Sequence, residues 1–352
     1  MNYLDKRKLE KSKFELPILG FGASPIKISD ENITNTSTEK LINFSLKLGV
    51  NYFDTAPWYG LGRSEHRIGN ALREINRDKF IISTKVGRIL DKKKPEIKPL
   101  QEYAHWENEN DHFQNSLKFY VKFDYSYDGI LRSYEDSIQR IGFSKIDMLV
   151  VHDLDFFYHG KEKMQFHLDQ LDKQNGWKAL EQLRSSGEIS AIGVGINGDG
   201  LIPYFIPKFD VDFFLVAMRY TLLKQKILFE ELPLCEKHNV GVVIGSPYQS
   251  GILAAGLSGV SPTYNYRQPS NEVINKIETI EKVCKDFDVN IGAVSIQFPL
   301  HHPAVLSVIP GMINEDQVKD NIENLSQTIP NELWQELKKK SIIEMDSPIG
   351  DL

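Results

Sequence analysis

The sequence predicts a (β/α)8 barrel, on three observations. Eight short apolar runs rich in β-branched and aromatic residues recur along the 352 residues, and helical spacing fills the segments between most of them. These strand–helix units carry no repeated sequence period and read as a barrel. No Gly-x-Gly-x-x-Gly follows the first run, which counts against the alternative, a doubly wound sheet. Eight strand–helix units take about 250 residues. The surplus fits a short N-terminal hairpin, long loops and a C-terminal tail, all within one domain spanning 1–352.

The expected strands are 19–23, 51–55, 80–85, 146–152, 189–193, 213–217, 240–245 and 305–309. The expected helices are 38–48, 65–72, 128–141, 176–186, 225–237, 271–287 and 315–324. Gly49, Gly142 and Gly187 follow three of these helices, where a left-handed terminating residue is favoured. Two connections are long: 91–127, which holds Trp106 and many aromatics, and 153–175, with Phe156, Phe157 and Tyr158. Both follow strands, so in a barrel both belong to the face that carries function. They read as a lid and a pocket wall.

Composition narrows the function. Hydrophobic residues at 41% and charged residues at 26% exclude wholesale disorder. No stretch approaches the roughly 18 apolar residues of a membrane helix, and residues 1–13 lack a signal core, so a cytoplasmic protein without membrane partners is expected. Two cysteines, Cys235 and Cys284, build neither a disulfide framework nor a Cys-rich metal site, so no metal is expected. A net charge of −6 offers no field for a nucleic-acid backbone.

Chemistry gathers at strand ends. Alternation puts Tyr52 and Asp54 on one face of the second strand, with Asp54 at its C-terminal end. Pro57 and Gly60 mark a turn that brings Tyr59 over the barrel mouth. The third strand ends in Lys85 and the fourth in His152. Taken singly, an Asp is often a cap, a Tyr packing and a His a rim residue. A lysine ending a buried strand is harder to explain without a partner. Together on adjacent strands they make a site. A lysine beside a tyrosine favours the phenolate. Asp54 would hold the lysine, and His152 would orient the reacting oxygen beside Tyr59. This equipment moves a proton on or off a carbinol oxygen. No side chain carries hydride, so a nicotinamide cofactor is implied.

The set Asp54, Tyr59, Lys85 and His152 resembles the catalytic tetrad of the aldo-keto reductase superfamily, whose fold is a (β/α)8 barrel. The resemblance spans nearly the whole chain. It is carried by Gly49-Val-Asn-Tyr-Phe-Asp-Thr-Ala-Pro-Trp-Tyr-Gly-Leu-Gly-Arg-Ser-Glu, by Ser83-Thr-Lys-Val-Gly-Arg88 and by Phe123-Asp-Tyr-Ser-Tyr-Asp-Gly-Ile130. Ala191-Ile-Gly-Val-Gly-Ile-Asn197 and Arg219-Tyr-Thr-Leu-Leu223 add to it. These stretches are similar to one branch: the D-threo-aldose (L-fucose) dehydrogenases, pyridoxal 4-dehydrogenase and L-galactose dehydrogenase. The resemblance implies NAD(P)-dependent oxidation of a cyclic hemiacetal, an L-fucose-like aldose, to its lactone. Pyridoxal oxidation and general carbonyl reduction are alternatives. A regulatory binding module on the same barrel is the non-enzymatic one.

The resemblance also implies cofactor contacts. Ser246, Pro247, Gly251 and Leu253 match the loop that wraps the pyrophosphate, while Tyr248 and Gln249 depart from it. Pro310, Gly311, Gln317 and Asn321 match the adenosine end, and Gly22, Ala23 and Asp54 complete the set near the nicotinamide. The usual Ser-Asn pair after the fifth strand is Gly195-Ile196, leaving Asn197 as the substitute, and Gly245 replaces a stacking tyrosine. Trp58 and Trp106, with Tyr59 and His152, are the expected substrate contacts. NAD is preferred over NADP, because Gly311 and Gln317 stand where a 2′-phosphate calls for Lys and Arg.

Overall fold

The computed structural model describes residues 1–12, 14–93, 116–259 and 262–350, so Trp106 lies outside the described residues. The chain opens with β1 (Lys6–Leu9), β2 (Phe14–Pro17), β3 (Phe21–Gly22), α1 (Asn35–Lys47), β4 (Tyr52–Asp54), α2 (Arg63–Leu72) and β5 (Ile81–Val86). Next come β6 (Arg88–Asp91), β7 (Tyr120–Phe123), α3 (Tyr127–Ile141), β8 (Met148–Val151), α4 (Phe156–Lys173), α5 (Gly176–Ser185), β9 (Ala191–Ile196) and α6 (Ile202–Phe205). The remainder is β10 (Phe213–Ala217), α7 (Glu231–Lys237), β11 (Gly241–Gly245), α8 (Ile252–Ala255), α9 (Asn271–Asp286), α10 (Ile291–Gln297), β12 (Val305–Ile309), α11 (Glu315–Ser326) and α12 (Asn331–Lys339).

One eight-stranded sheet runs in the order β3-β4-β5-β8-β9-β10-β11-β12. Parallel bridges Leu19–Val308 and Gly22–Gly311 bring the start of the sheet beside its end. This is the (β/α)8 barrel the sequence predicts. All eight expected strands are present. The fifth runs on to Ile196, because its apolar alternation continues and every residue from Ala191 to Ile196 is buried.

Two compact units can be distinguished. The first comprises residues 21–215 and 311–315, the second 1–20, 216–310 and 316–352. In the first, β3, β4, β5, β8 and β9 pair in parallel, in that order. Helix α1 is fixed by a reciprocal cap between Thr34 and Ser37, and α3 by the Ser126 side chain. In the second unit β11 pairs with β12, and the antiparallel hairpin β1–β2 joins it where the Arg7 guanidinium donates to the Val305 carbonyl at 2.5 Å.

Three departures have physical causes. The expected helix 225–237 is a 3-10 turn at Lys226–Leu228 followed by α7. Pro233 is tolerated in the first turn of α7, but its ring would clash with a carbonyl four residues back in a longer helix. The expected wall loop 153–175 is mostly helical: Asp155 caps α4 by accepting from the Tyr158 amide, and Gly160 at φ 71 kinks it. Segment 91–127 starts and ends in the antiparallel pair β6–β7, Arg88 facing Phe123 and Asp91 facing Tyr120. Among the described residues no helix is long and apolar enough to cross a membrane. Both cysteines are buried and free.

Candidate active site

Register places the polar residues together. Asp54 pairs with Gly22 on one side and Ser83 on the other, and Lys85 pairs with Val150, two residues before His152. All belong to the same compact unit. The turn after β4 needs glycine at Gly60: its φ is 66, and a Cβ there would lie 2.8 Å from the Lys27 carbonyl oxygen. That turn delivers Tyr59, half-buried, to the site.

Lys85 is 2% exposed and fully engaged. Its Nζ donates to Asp54 Oδ2 at 2.7 Å and to the Thr55 carbonyl at 2.9 Å. The Tyr59 hydroxyl is a further partner, and Nζ lies 4.7 Å from the centre of the Tyr59 ring. Ser83 Oγ donates to Asp54 Oδ1 at 2.7 Å, so both carboxylate oxygens are satisfied. Burial opposes the lysine charge, but Asp54 and Tyr59 outweigh it and hold its pKa above the ordinary value. For Tyr59 the balance goes the other way. Burial pushes its hydroxyl up to about 12, and Lys85 only partly offsets this. The expected lysine effect is present in direction and smaller than desolvation in size.

His152 is edge-on to Tyr59, with ring centres 6.1 Å apart. Burial first, then the Arg88 and Lys85 charges, hold its pKa well below the ordinary value, so the imidazole is neutral. Its Nδ1 is buried without a hydrogen-bond partner, and its Nε2 lies 3.3 Å from Asp153 Oδ2.

Sequence reasoning missed Arg88 and Asp153. Arg88 is buried, donates to Asp153 Oδ2 at 2.9 Å and stacks its guanidinium 4.7 Å from Trp58 and 4.3 Å from Tyr158. Trp58, expected against substrate, therefore has a face on Arg88. Asp153 follows His152 with φ 42, a region that favours few residues besides Gly, Asn and Asp. The Asn197 side chain also donates to Asp153, while the Asn197 amide donates to Asp155 Oδ2 at 3.2 Å. A Cβ on Gly195 would stand 3.6 Å from Asp153 Oδ1, an ordinary contact, so this departure lies directly beside the carboxylate. Burial and the neighbouring Asp153 raise Asp155 to about 7. The usable signal was an arginine three residues after Lys85 beside an acidic residue after His152.

The expected cofactor residues fall in both units. Gly22 and Ala23 are buried at the end of β3, where the Ala23 amide donates to the Asp54 carbonyl at 2.9 Å. After β11, Ser246, Gln249, Ser250 and Gly251 all have positive φ, Pro247 and Leu253 are buried, and nothing lies within 4 Å of a Cβ built on Gly251. The turn is bonded within itself, the Gln249, Gly251 and Leu253 amides donating to the Ser246 and Tyr248 carbonyls and the Ser250 hydroxyl to the Thr263 carbonyl, and the open side of Gly251 leaves a phosphate an approach without side-chain hindrance. Tyr248 is turned to the protein: its hydroxyl donates to Asn321 Oδ1 at 2.7 Å, and Asn321 Nδ2 donates to the Gln317 carbonyl at 2.7 Å. Pro310 is buried. Gly311 has no room for a side chain, since its Cβ would stand 2.5 Å from Pro25 Cγ.

Comparison with known proteins gives a consistent answer. The sequence profile of the Aldo/keto reductase family matches residues 18–342. Pyridoxal 4-dehydrogenase of Microbacterium luteolum is 35% identical, with 96% of this chain and 98% of the relative covered. D-threo-aldose 1-dehydrogenase of a Pseudomonas species is 33% identical, covering 93% and 95%. Among solved structures, an aldo-keto reductase of Bacillus halodurans in its holo form superposes with a TM-score of 0.72 at 24% identity, covering 95% of each chain.

Proposed function

The chain belongs to the aldo/keto reductase family, oxidoreductases acting on alcohol and aldehyde groups, and from that premise we propose that it oxidises the hemiacetal carbon of an aldose to the lactone. The observation that carries the reading is the Lys85 ammonium, shared between Asp54, the Thr55 carbonyl and the Tyr59 hydroxyl. When bound, a nicotinamide dinucleotide supplies the hydride acceptor. By the resemblance, Ser246, Gly251, Gln317 and Asn321 in one unit are candidates for phosphate and adenosine contacts, and Asn197 and Asp54 in the other for nicotinamide contacts. The protein's own groups handle the proton. Tyr59 takes it from the carbinol oxygen, Lys85 stabilises the phenolate, and Asp54 keeps the lysine charged. Neutral His152 hydrogen-bonds the reacting oxygen and cannot compete as a cation. In the reducing direction Tyr59 returns the proton to the carbonyl oxygen.

NAD is the preferred dinucleotide. A lysine at Gly311 would collide with the rigid Pro25 ring, Gln317 is uncharged, and Glu315 and Asp316 make the rim acidic. Lys319 is paired with Asp316 at 3.2 Å. Positions 311 and 317 therefore offer a 2′-phosphate no cation.

Initial rates of nicotinamide reduction with L-fucose, D-arabinose, L-galactose and pyridoxal, each offered with NAD and NADP, test the reading. L-Fucose-like aldoses with NAD are expected to give the highest kcat/KM. Turnover confined to pyridoxal would move the assignment to the second reading, which its 35% identical relative supports. No turnover of any hydroxyl donor would overturn both.

A further inference from the structure

We infer that Asp153 and His152 together read a vicinal pair of oxygens on the substrate, with Asp153 accepting a hydrogen bond from the hydroxyl beside the reacting carbinol. The inference rests on the hydroxyl-oxidising reading of the site and names the substrate class it selects: compounds whose reacting carbon is flanked by a second hydroxyl.

Spacing is the first argument. His152 Nε2 and Asp153 Oδ2 are 3.3 Å apart, and both lie beside Tyr59. Two gauche oxygens on adjacent ring carbons stand roughly 3 Å apart. A carbinol oxygen at Nε2 therefore puts its neighbour against Oδ2. Exposure is the second. The Asp153 side chain is 18% exposed, whereas those of His152 and Lys85 are 3% and 2% exposed. Among these three, the Asp153 side chain is the most exposed.

The third argument is preorganisation. Arg88 and Asn197 hold the carboxylate, and the Arg88 guanidinium itself lies over the Trp58 and Tyr158 rings. A carboxylate has about four lone-pair directions, and these two donors leave capacity for a hydroxyl. Positive φ at Asp153 is a local cost that only its neighbours maintain, the kind of strain concentrated where a side chain must be aimed.

Asp153→Asn is the test. Asparagine tolerates the same φ and still accepts from Arg88, but it leaves the buried guanidinium without its carboxylate, so thermal unfolding is measured beside the rates and only the folded variant is compared. Wild type and variant are compared on L-fucose and 2-deoxy-L-fucose, and, in the reducing direction, on glyceraldehyde and propanal. The expected result is non-additive. Wild type loses at least about tenfold in kcat/KM when the vicinal hydroxyl is removed. Whatever its overall rate, the variant's own ratio between substrates with and without that hydroxyl collapses to within about threefold. An equal loss on all four substrates would mean that Asp153 only supports Arg88 and His152, and would overturn the inference. So would a wild-type enzyme indifferent to the hydroxyl. The reducing pair keeps the two readings separable. If L-fucose is not oxidised but the glyceraldehyde preference exists and collapses in the variant, the aldose assignment fails and the vicinal reading stands.

Discussion

Removing the Lys85 charge should slow oxidation by a factor that the geometry sets. In Lys85→Met the side chain keeps nearly its length and loses a cation that sits 4.7 Å from the centre of the Tyr59 ring. The phenolate charge sits on the oxygen that Nζ hydrogen-bonds, nearer than the ring centre, so at an effective dielectric of about 20 the pair is worth at least roughly 3.5 kcal/mol, or at least roughly 300-fold in the phenol–phenolate equilibrium. The sign follows from the tyrosine. Phenolate is the form that accepts the carbinol proton, and with Tyr59 at about 12 its share rises with pH through the whole neutral and mildly alkaline range. Wild-type oxidation therefore climbs with pH, and the variant should run parallel and at least roughly 300-fold lower. Reduction uses the protonated phenol and should be nearly flat over the same range. Initial rates at saturating sugar and NAD, taken in both directions across pH, measure this. Lys85→Met also strands Asp54 as a buried lone charge, a destabilisation of about 3–5 kcal/mol. Asp54→Asn combined with Lys85→Met removes that charge, so thermal stability should recover while the rate loss persists. Oxidation within tenfold of wild type on a superimposable pH profile would refute lysine activation.

Tyr59→Phe should fold and bind NAD, measured by thermal unfolding and ligand titration, while kcat falls by about 10²–10⁴ because no nearby group replaces the hydroxyl. Retention of kcat within tenfold would remove Tyr59 from proton transfer. Gln317→Arg should raise kcat/KM with NADP and narrow an NAD preference of about tenfold, equivalent to roughly 1.4 kcal/mol; an unchanged ratio would place the 2′-phosphate elsewhere. Gly69→Ala should lower the melting temperature sharply without altering the chemistry of folded enzyme, because a Cβ there would overlap the Ile141 carbonyl where α2 meets α3. Wild-type stability in that variant would show that the two helices are free to separate.

The eight strands, the closing glycines Gly49, Gly142 and Gly187, and the placement of Asp54, Tyr59, Lys85 and His152 were legible in the sequence. Local physics decides each of them: apolar alternation marks a strand, φ near 80 at a helix end calls for glycine, and a barrel puts strand ends on one face. Helix α4 was not legible, because its aromatic and histidine-rich sequence has no clean apolar stripe and its kink at Gly160 breaks the period. Nor was the balance at Tyr59. The lysine that lowers its pKa is visible in sequence, but the burial that wins is a property of the packed chain. Arg88 and Asp153 belong to the same class. Sixty-five residues separate them, and only the folded chain lays the guanidinium on Trp58 and Tyr158, beside the carboxylate that follows His152. Sequence determines which chemical groups stand at strand ends; desolvation and long-range pairing, set by tertiary structure, decide their charge and what they can hold.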